Sequence, residues 1–287
     1  MTVVVVGASG TVGRLLVPHW QSTSAPVLLQ YRGTISPWTG GKVLKWNPDD
    51  GADALERWVS SHERASCMIV LAGVTPRSGK TLSDNTRIAE ACLTAARSVA
   101  IPRALVASSS AVYGDYLDRP FSEEDDPHPM NAYGTAKLVM EKECERLAAP
   151  DLQVTCLRIG NVAGADALLS QIGTSGDRQP VIDQFNDGGT PLRSYIGPGT
   201  LAEVLLKLAH IRDHLPPILN VGAPVPVQMG ELAEAAGLRW CPRPKPDARL
   251  QRITLDCGRL WALMHGQPQT SDPAEMSRQL SFSKAYA

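Results

Sequence analysis

Tyr133 and Lys137 stand four residues apart in Tyr133-Gly-Thr-Ala-Lys137, and Asn131 just before them suits the start of a helix. On a helix this spacing puts both side chains on one face, one turn apart, so a phenol and an ammonium address the same point. A free tyrosine has a pKa of about 10 and is a poor base near neutrality. A neighbouring cation favours its phenolate, and the first turn of a helix adds the positive end of the macrodipole. Upstream, the apolar run Ala104–Ala107 ends in Ser108-Ser109-Ser110. A serine hydroxyl brought alongside could hold a carbonyl or alcohol oxygen while Tyr133 exchanges its proton. Tyr-x-x-x-Lys alone is common in helices for packing and solubility. Its weight here depends on Ser-Ser-Ser-Ala-Val-Tyr-Gly114 and on the amino terminus.

That terminus reads as strand, glycine turn, helix. Val3–Val6 is an apolar run of the kind that forms a parallel strand buried on both faces. Gly7-Ala-Ser-Gly10-Thr-Val-Gly13 follows, then Val12, Leu15 and Leu16 at helical spacing. This is the context of a dinucleotide-phosphate loop. Gly7 permits the turn, Gly10 lets backbone approach a pyrophosphate, and Gly13 lets the helix pack close, its amino-terminal N–H groups facing the anion. Ser9, Thr11 and Val12 complete the candidate loop, whose spacing is Gly-x-x-Gly-x-x-Gly. A second strand is expected at Val27–Tyr31, where such sites carry an acid for the ribose hydroxyls. Gln30, Tyr31 and Arg32 stand there instead. Arg32, with Arg14, could accommodate a 2′-phosphate, which favours NADP over NAD.

Further strands are expected at Val43–Trp46, Cys67–Leu71, Ala104–Ala107 and Val154–Ile159. Helices are expected near 52–61, 82–99 and from Asn131. Six strands alternating with helices indicate a doubly wound parallel sheet, an α/β Rossmann-type fold. Residues 1–160 form the expected NAD(P)-binding domain, and 161–287 mainly a substrate-binding lobe, with some segments returning to the first domain. In that lobe Gly173–Asp177 and Asp187–Pro191 read as loops, Thr200-Leu-Ala-Glu203 as a capping box opening a helix to His210, and Ile218–Val221 as a strand. Glu231–Ala236 reads as a short helix and Pro242–Pro246 as a stiff linker. The acidic run Glu123–Asp126 reads as a solvated loop.

The 287 residues allow one large α/β domain or a domain with an attached lobe. A net charge of −1 favours neither nucleic acid nor an anionic membrane as partner. The six cysteines form no Cys-x-x-Cys pair and no metal-ligand cluster, so neither a disulfide framework nor a metal site is expected. Val3–Val6 is too short for a signal peptide, no window reaches transmembrane length, and the cytoplasm is the expected compartment.

Together these segments resemble the extended short-chain dehydrogenase/reductase family, in its NAD-dependent epimerase/dehydratase branch. The resemblance covers roughly residues 2–265. It rests on the glycine segment, Leu71-Ala72-Gly73, Asn85, Ser-Ser-Ser-Ala-Val-Tyr-Gly114, Tyr133 to Lys137, Leu157-Arg-Ile-Gly-Asn161 and Leu219-Asn-Val-Gly222. It implies a catalytic triad of Ser109, Tyr133 and Lys137, with Lys137 also on the nicotinamide ribose. Leu71, Ala72, Gly73 and Asn85 would lie at the cofactor, Ser110 and Asn161 near the substrate, and Arg193 at the substrate's anionic part. It also implies a homodimer through the helices at 82–99 and 131–149. Ile88, Ala91, Ala95, Ala96, Val139, Met140 and Leu147 would form a second apolar stripe there.

Two departures narrow the reaction. The aspartate expected after Arg193-Ser-Tyr-Ile is replaced by Gly197-Pro-Gly-Thr200. Dehydratases of the family carry Asp-Glu after the catalytic hydroxyl residue, where this chain has Ser110-Ala111, so elimination of water is disfavoured. The expectation is an NAD(P)-dependent epimerase or oxidoreductase moving a hydride to or from a secondary alcohol or ketone of a sugar or sugar nucleotide. The competing reading is a non-catalytic NAD(P)-binding regulatory or assembly protein.

Overall fold

The computed structural model describes residues 2–33, 42–171, 179–246, 251–265 and 271–285. The expected loop Gly173–Asp177 lies outside these residues. A seven-stranded, all-parallel sheet forms the centre, with strand order β11-β6-β5-β4-β1-β2-β3. Its strands are β1 (Thr2–Val6), β2 (Val27–Tyr31), β3 (Lys42–Lys45), β4 (Ala65–Val70), β5 (Arg103–Ser109), β6 (Gln153–Ile159) and β11 (Ile218–Val221). Six strands were expected in this sheet. The seventh, β11, pairs with β6 from Ile218 opposite Cys156 to Val221 opposite Ile159.

Alternation explains the apolar run of the central strand β1. Val3 and Val5 enter one core, Val4 and Val6 the other, and all four are buried. Each such side chain contributes about 1.5–3 kcal/mol relative to exposure. The Val3 and Val5 side is covered by α1 (Thr11–Ser22), α5 (Pro198–His210) and α8 (Pro273–Ala285). The other side is covered by α2 (Asp53–Ser61), α3 (Asp84–Ser98) and α4 (Ala132–Leu147). None of the described helices is long and apolar enough to cross a membrane.

Four expectations are corrected. Ile88, Ala95, Ala96 and Met140 are buried in the chain's own core, so most of the supposed second stripe on α3 and α4 is spent internally. The two helices pack on each other as well as on the sheet, which needs a wider apolar face than one stripe. Pro242–Pro246 is not a linker. Cys241–Pro244 pairs in parallel with Val181–Gln184, and the bonds come from Cys241 N–H to Pro180 O and Lys245 N–H to Gln184 O. Both prolines stand where an edge strand needs no donor. The helix expected from Thr200 begins at Pro198, a residue suited to the first turn, and Gly197 caps it without a side chain. Thr200 N–H instead donates to Gln279 Oε1 at 3.0 Å, tying α5 to α8. The acidic run is solvated only in part: Glu124 and Asp126 are exposed, but Glu123 Oε1 accepts from Asn220 N–H at 2.9 Å, and Asp125 Oδ2 from Ser122 N–H at 2.8 Å.

The remaining short strands are β7 (Asn161–Val162), β8 (Val181–Gln184), β9 (Leu192–Arg193), β10 (Tyr195–Ile196), β12 (Val227–Gln228), β13 (Cys241–Pro244) and β14 (Arg252–Ile253). They make small sheets at the carboxyl edge of the large one. The chain runs outward from β1 through β2 to β3, then returns to β4 on the other side of β1. A crevice opens where the order reverses.

Candidate active site

The crevice holds a cavity of about 790 Å³, lined by the ends of β1, β2, β4, β5 and β6. Its floor is the glycine turn. Gly7 has φ +93°, and a Cβ there would lie 2.5 Å from Ala72 N, so the two loops touch only because this residue has no side chain. At Gly13 a Cβ would lie 2.3 Å from Gly7 O, which fixes the close seat of α1 on the turn. Gly10 caps α1 with no side-chain bond and lines the cavity, so the helix start faces the space. Such a start offers free N–H donors and positive potential to an anion.

The residue where an acid was sought has a different task. Gln30 is buried, and its Oε1 accepts from Gly7 N–H at 2.9 Å while its Nε2 donates to Trp46 O. It braces the turn from below. Arg32 lines the cavity beyond it, opposite Asn47, Pro48 and Asp49 at the end of β3. Asp49 is paired with Arg87 of α3. Across the cavity, Leu71, Ala72 and Gly73 form the wall after β4.

The next wall comes from β5 and α4. Asn131 caps α4, its Oδ1 accepting from Gly134 N–H at 2.9 Å. A Cβ on Gly134 would lie 2.2 Å from Ala111 O, so α4 starts in contact with the turn Ser110–Val112. This packing puts Tyr133 beside Ser109. Burial raises the Tyr133 phenol above its ordinary value, and a hydrogen bond with Ser109 acts the other way. Lys137 is buried, and its Nζ donates to Ala107 O at 2.8 Å. Burial pulls its ammonium down to about 8, against the opposing charge of the Glu141 carboxylate. Burial is thus the larger influence on the Tyr133 phenol.

A second cavity of about 340 Å³ adjoins the first, and the two share Ser109, Tyr133 and Asn161. Ser110 and Arg193 line only the second. Arg193 Nη1 donates to Leu192 O at 2.8 Å and Gln251 O at 3.0 Å, and burial lowers its pKa. Behind the junction, Ser108 Oγ donates to Glu141 Oε1 at 2.5 Å, and Arg158 Nη2 donates to Glu141 Oε2 at 2.8 Å. The Arg158 guanidinium lies 4.6 Å over the Tyr113 ring, whose hydroxyl donates to Asn220 Oδ1 at 2.8 Å. This buried network holds Ser108 away from Tyr133 and leaves Ser109 as its neighbour.

Of the expected cofactor residues, Gly7, Gly10, Thr11, Val12, Arg32, Leu71, Ala72, Gly73, Tyr133 and Lys137 line the larger cavity. Ser9, Gly13, Arg14 and Asn85 do not. Arg14 is exposed. Asn85 is buried and pins the loop after β4, accepting from Val74 N–H at 2.9 Å and donating to Val74 O at 3.0 Å and Leu82 O at 2.9 Å. The sequence reading missed Gln30 as a brace, Asn47–Asp49, Thr75–Ser78 and Ala165–Ser170. The turn after β3 was findable, because every strand of such a sheet delivers its carboxyl end to the crevice. The segment after β7 carries no comparable signal.

The comparisons agree with this architecture. UDP-glucose 4-epimerase of Azospirillum brasilense is 30% identical over 192 residues, covering 56% of this chain and 54% of that protein. The chain spans about half or less of the length of the curated relatives it matches. In fold it is similar to UDP-glucose 4-epimerase of Thermotoga maritima with UDP-glucose, with TM-score 0.77, 20% identity and 99% of each chain covered. It is similar also to MoeE5 in complex with UDP-glucuronic acid and NAD, with TM-score 0.76, 23% identity and 100% of each chain covered. The match to the family's sequence pattern runs from residue 3 to 222, through the glycine turn, the serine strand, Tyr133 and Lys137. On that match, the chain belongs to the NAD-dependent epimerase/dehydratase family.

Proposed function

We propose that the protein is an NAD(P)-dependent epimerase or reductase acting on a secondary alcohol or ketone of a sugar nucleotide. One observation carries the reading: Ser109, Tyr133 and Lys137 line the same cavity as the glycine turn, and Ser109 and Tyr133 also line the smaller cavity beside it. The larger cavity fits a dinucleotide, because Gly7, at φ +93° and packed against Ala72, makes a tight turn under it, Gly10 lines it, and the start of α1 offers donors to a pyrophosphate. The residues that would hold it are Gly7, Gly10, Thr11 and Val12 at the phosphates, Leu71–Gly73 at the wall, and Lys137 at the nicotinamide end. Arg32 would hold a 2′-phosphate, so NADP is preferred. When bound, the nicotinamide supplies a hydride acceptor or donor.

The protein's own residues then manage the oxygen. Ser109 Oγ holds the substrate oxygen beside the Tyr133 hydroxyl, which gives its proton to a carbonyl or takes one from an alcohol. A phenol raised by burial is in its acid form at neutral pH, suited to protonating a carbonyl oxygen. Lys137 brings positive charge to the same space. The smaller cavity, with Ser110, Asn161 and Arg193, would take the substrate. With Ser110-Ala111 where dehydratases carry an acid pair, elimination of water is not part of the proposal. Structures similar in fold are described with UDP-glucose or with UDP-glucuronic acid and NAD, which supports the sugar-nucleotide class.

Residues 1–160 would serve the cofactor and 161–287 mainly the substrate, with α5 and β11 returning to the first unit. A homodimer through α3 and α4 belongs to this proposal, as does a cytoplasmic setting, in keeping with six free cysteines. Tyr133→Phe should abolish turnover of UDP-sugars while leaving NAD(P)H affinity within about threefold of wild type, because it removes a proton carrier and no charge. Near-normal turnover in that variant would sink the assignment.

A further inference from the structure

Arg77 lies in the loop after β4, within the single turn Pro76–Ser78. It is exposed, yet its guanidinium is engaged at both tips. Nη1 donates to Ser170 Oγ at 2.9 Å and Nη2 to Ala165 O at 2.8 Å. Arg77, Ala165 and Ser170 all line the larger cavity. The two bonds therefore join one wall of the cleft, the loop after β4, to the other, the segment after β7.

Each end of this bridge is anchored. Ser78 Oγ donates to Thr75 O at 2.6 Å, and Gly79, at φ +65°, ends the turn. On the far side Asp166 accepts from the N–H groups of Gly164 at 3.1 Å, Leu168 at 2.6 Å and Leu169 at 3.0 Å. Its carboxyl is thus spent on its own turn, and Arg77 is left with two neutral acceptors. Bonds of that kind at an exposed position are directional enough to favour closure and weak enough to open during turnover.

We propose that Arg77 is a strap across the cleft that sets how fast a dinucleotide enters and leaves. The proposal rests on the reading of the larger cavity as a dinucleotide site. A strap that must open for both passages slows both, and so affects residence time more than affinity. Slow release would suit an epimerase, which returns the hydride it removes and has no need to exchange cofactor at every turnover.

Stopped-flow fluorescence with NADPH and NADH tests this. Arg77→Ala should raise association and dissociation rates together by about tenfold, with Kd within about threefold. Ser170→Ala should raise both by less, and the double variant should match Arg77→Ala, because the serine acts only through the arginine. Unchanged rates overturn the strap. So does a loss of affinity carried by dissociation alone, which would make Arg77 a ligand contact. Hydrogen exchange on the ligand-free protein gives an independent arm: Arg77→Ala should speed exchange at Leu168 and Leu169, and unchanged exchange there also overturns the proposal. If the wild type binds neither NADPH nor NADH, the reading of the cavity falls and the strap's role in dinucleotide passage falls with it, whereas binding with unchanged rates overturns the strap alone.

Discussion

At the scale of single residues, Lys137 is the group whose charge state should be visible in solution. Its ammonium is held at about 8 by burial, well below the usual lysine range. Ribose hydroxyls that accept from the ammonium would favour its charged form and raise that value again, so affinity is constant below about pH 8 and falls as pH rises through it. Calorimetric titration with NADPH between pH 6.5 and 9.5 should show this decline, and Lys137→Met should bind more weakly with a flat profile. Arg32 carries the cofactor preference. Arg32→Ala should weaken NADPH binding by about tenfold and leave NADH nearly unchanged, the difference of one charged contact. Equal losses for both cofactors would assign Arg32 to the shared part of the dinucleotide. Tyr133 and Lys137 stood out in the sequence because a helix cap and a four-residue spacing are local signals, whereas Ser109 was picked from three adjacent serines only by the family resemblance. Gln30 was legible only as a missing acid. Its bonds to Gly7 and Trp46 depend on how β1, β2 and β3 lie side by side, which no local pattern encodes.

At the scale of elements, the C-terminal helix α8 is joined to α1 by His19, whose Nε2 lies 2.9 Å from Ser283 Oγ. Burial is the larger influence on this imidazole and lowers its pKa from the ordinary 6.5. The sign follows directly. Below about pH 6.5 the unfolded chain takes up a proton that the folded chain resists, so stability present above that pH is lost as pH falls. Urea unfolding at pH 7 and 5.5 should show the wild type losing stability, and His19→Gln should lose less. Equal losses would mean that α8 accommodates the imidazolium. Elements of the Rossmann half were legible because their apolar runs are long and their breaks are glycines. The prolines of 242–246 suggested local stiffness, whereas a parallel edge pair requires donors only at alternate positions, which Cys241 and Lys245 border. The wide apolar faces of α3 and α4 suggested a partner, whereas each helix packs on the sheet and on the other helix. Ala165–Ser170 gave no signal, since its partner Arg77 lies 88 and 93 residues away in sequence.

At the scale of the whole molecule, burial of Ala95 changes how a dimer must be tested, since a charge there would damage the core of one chain. Val139, 52% exposed on α4, is the better position. Light scattering at micromolar concentration should show a dimer, and Val139→Glu should shift it towards monomer without lowering the unfolding temperature of the monomer. A monomeric wild type removes the dimer from the proposal. The brace under the glycine turn has a separate consequence, for modularity. A strand–turn–helix unit is often treated as a portable phosphate grip. Here the amide of its first glycine is held by a glutamine from the second strand, and that glutamine is oriented by a carbonyl just past the third. The grip is thus specified by β1, β2 and the end of β3 acting together. A graft of the opening twenty into another scaffold would carry the glycines but not their alignment, and the shortest transplantable unit of this protein ends beyond Trp46.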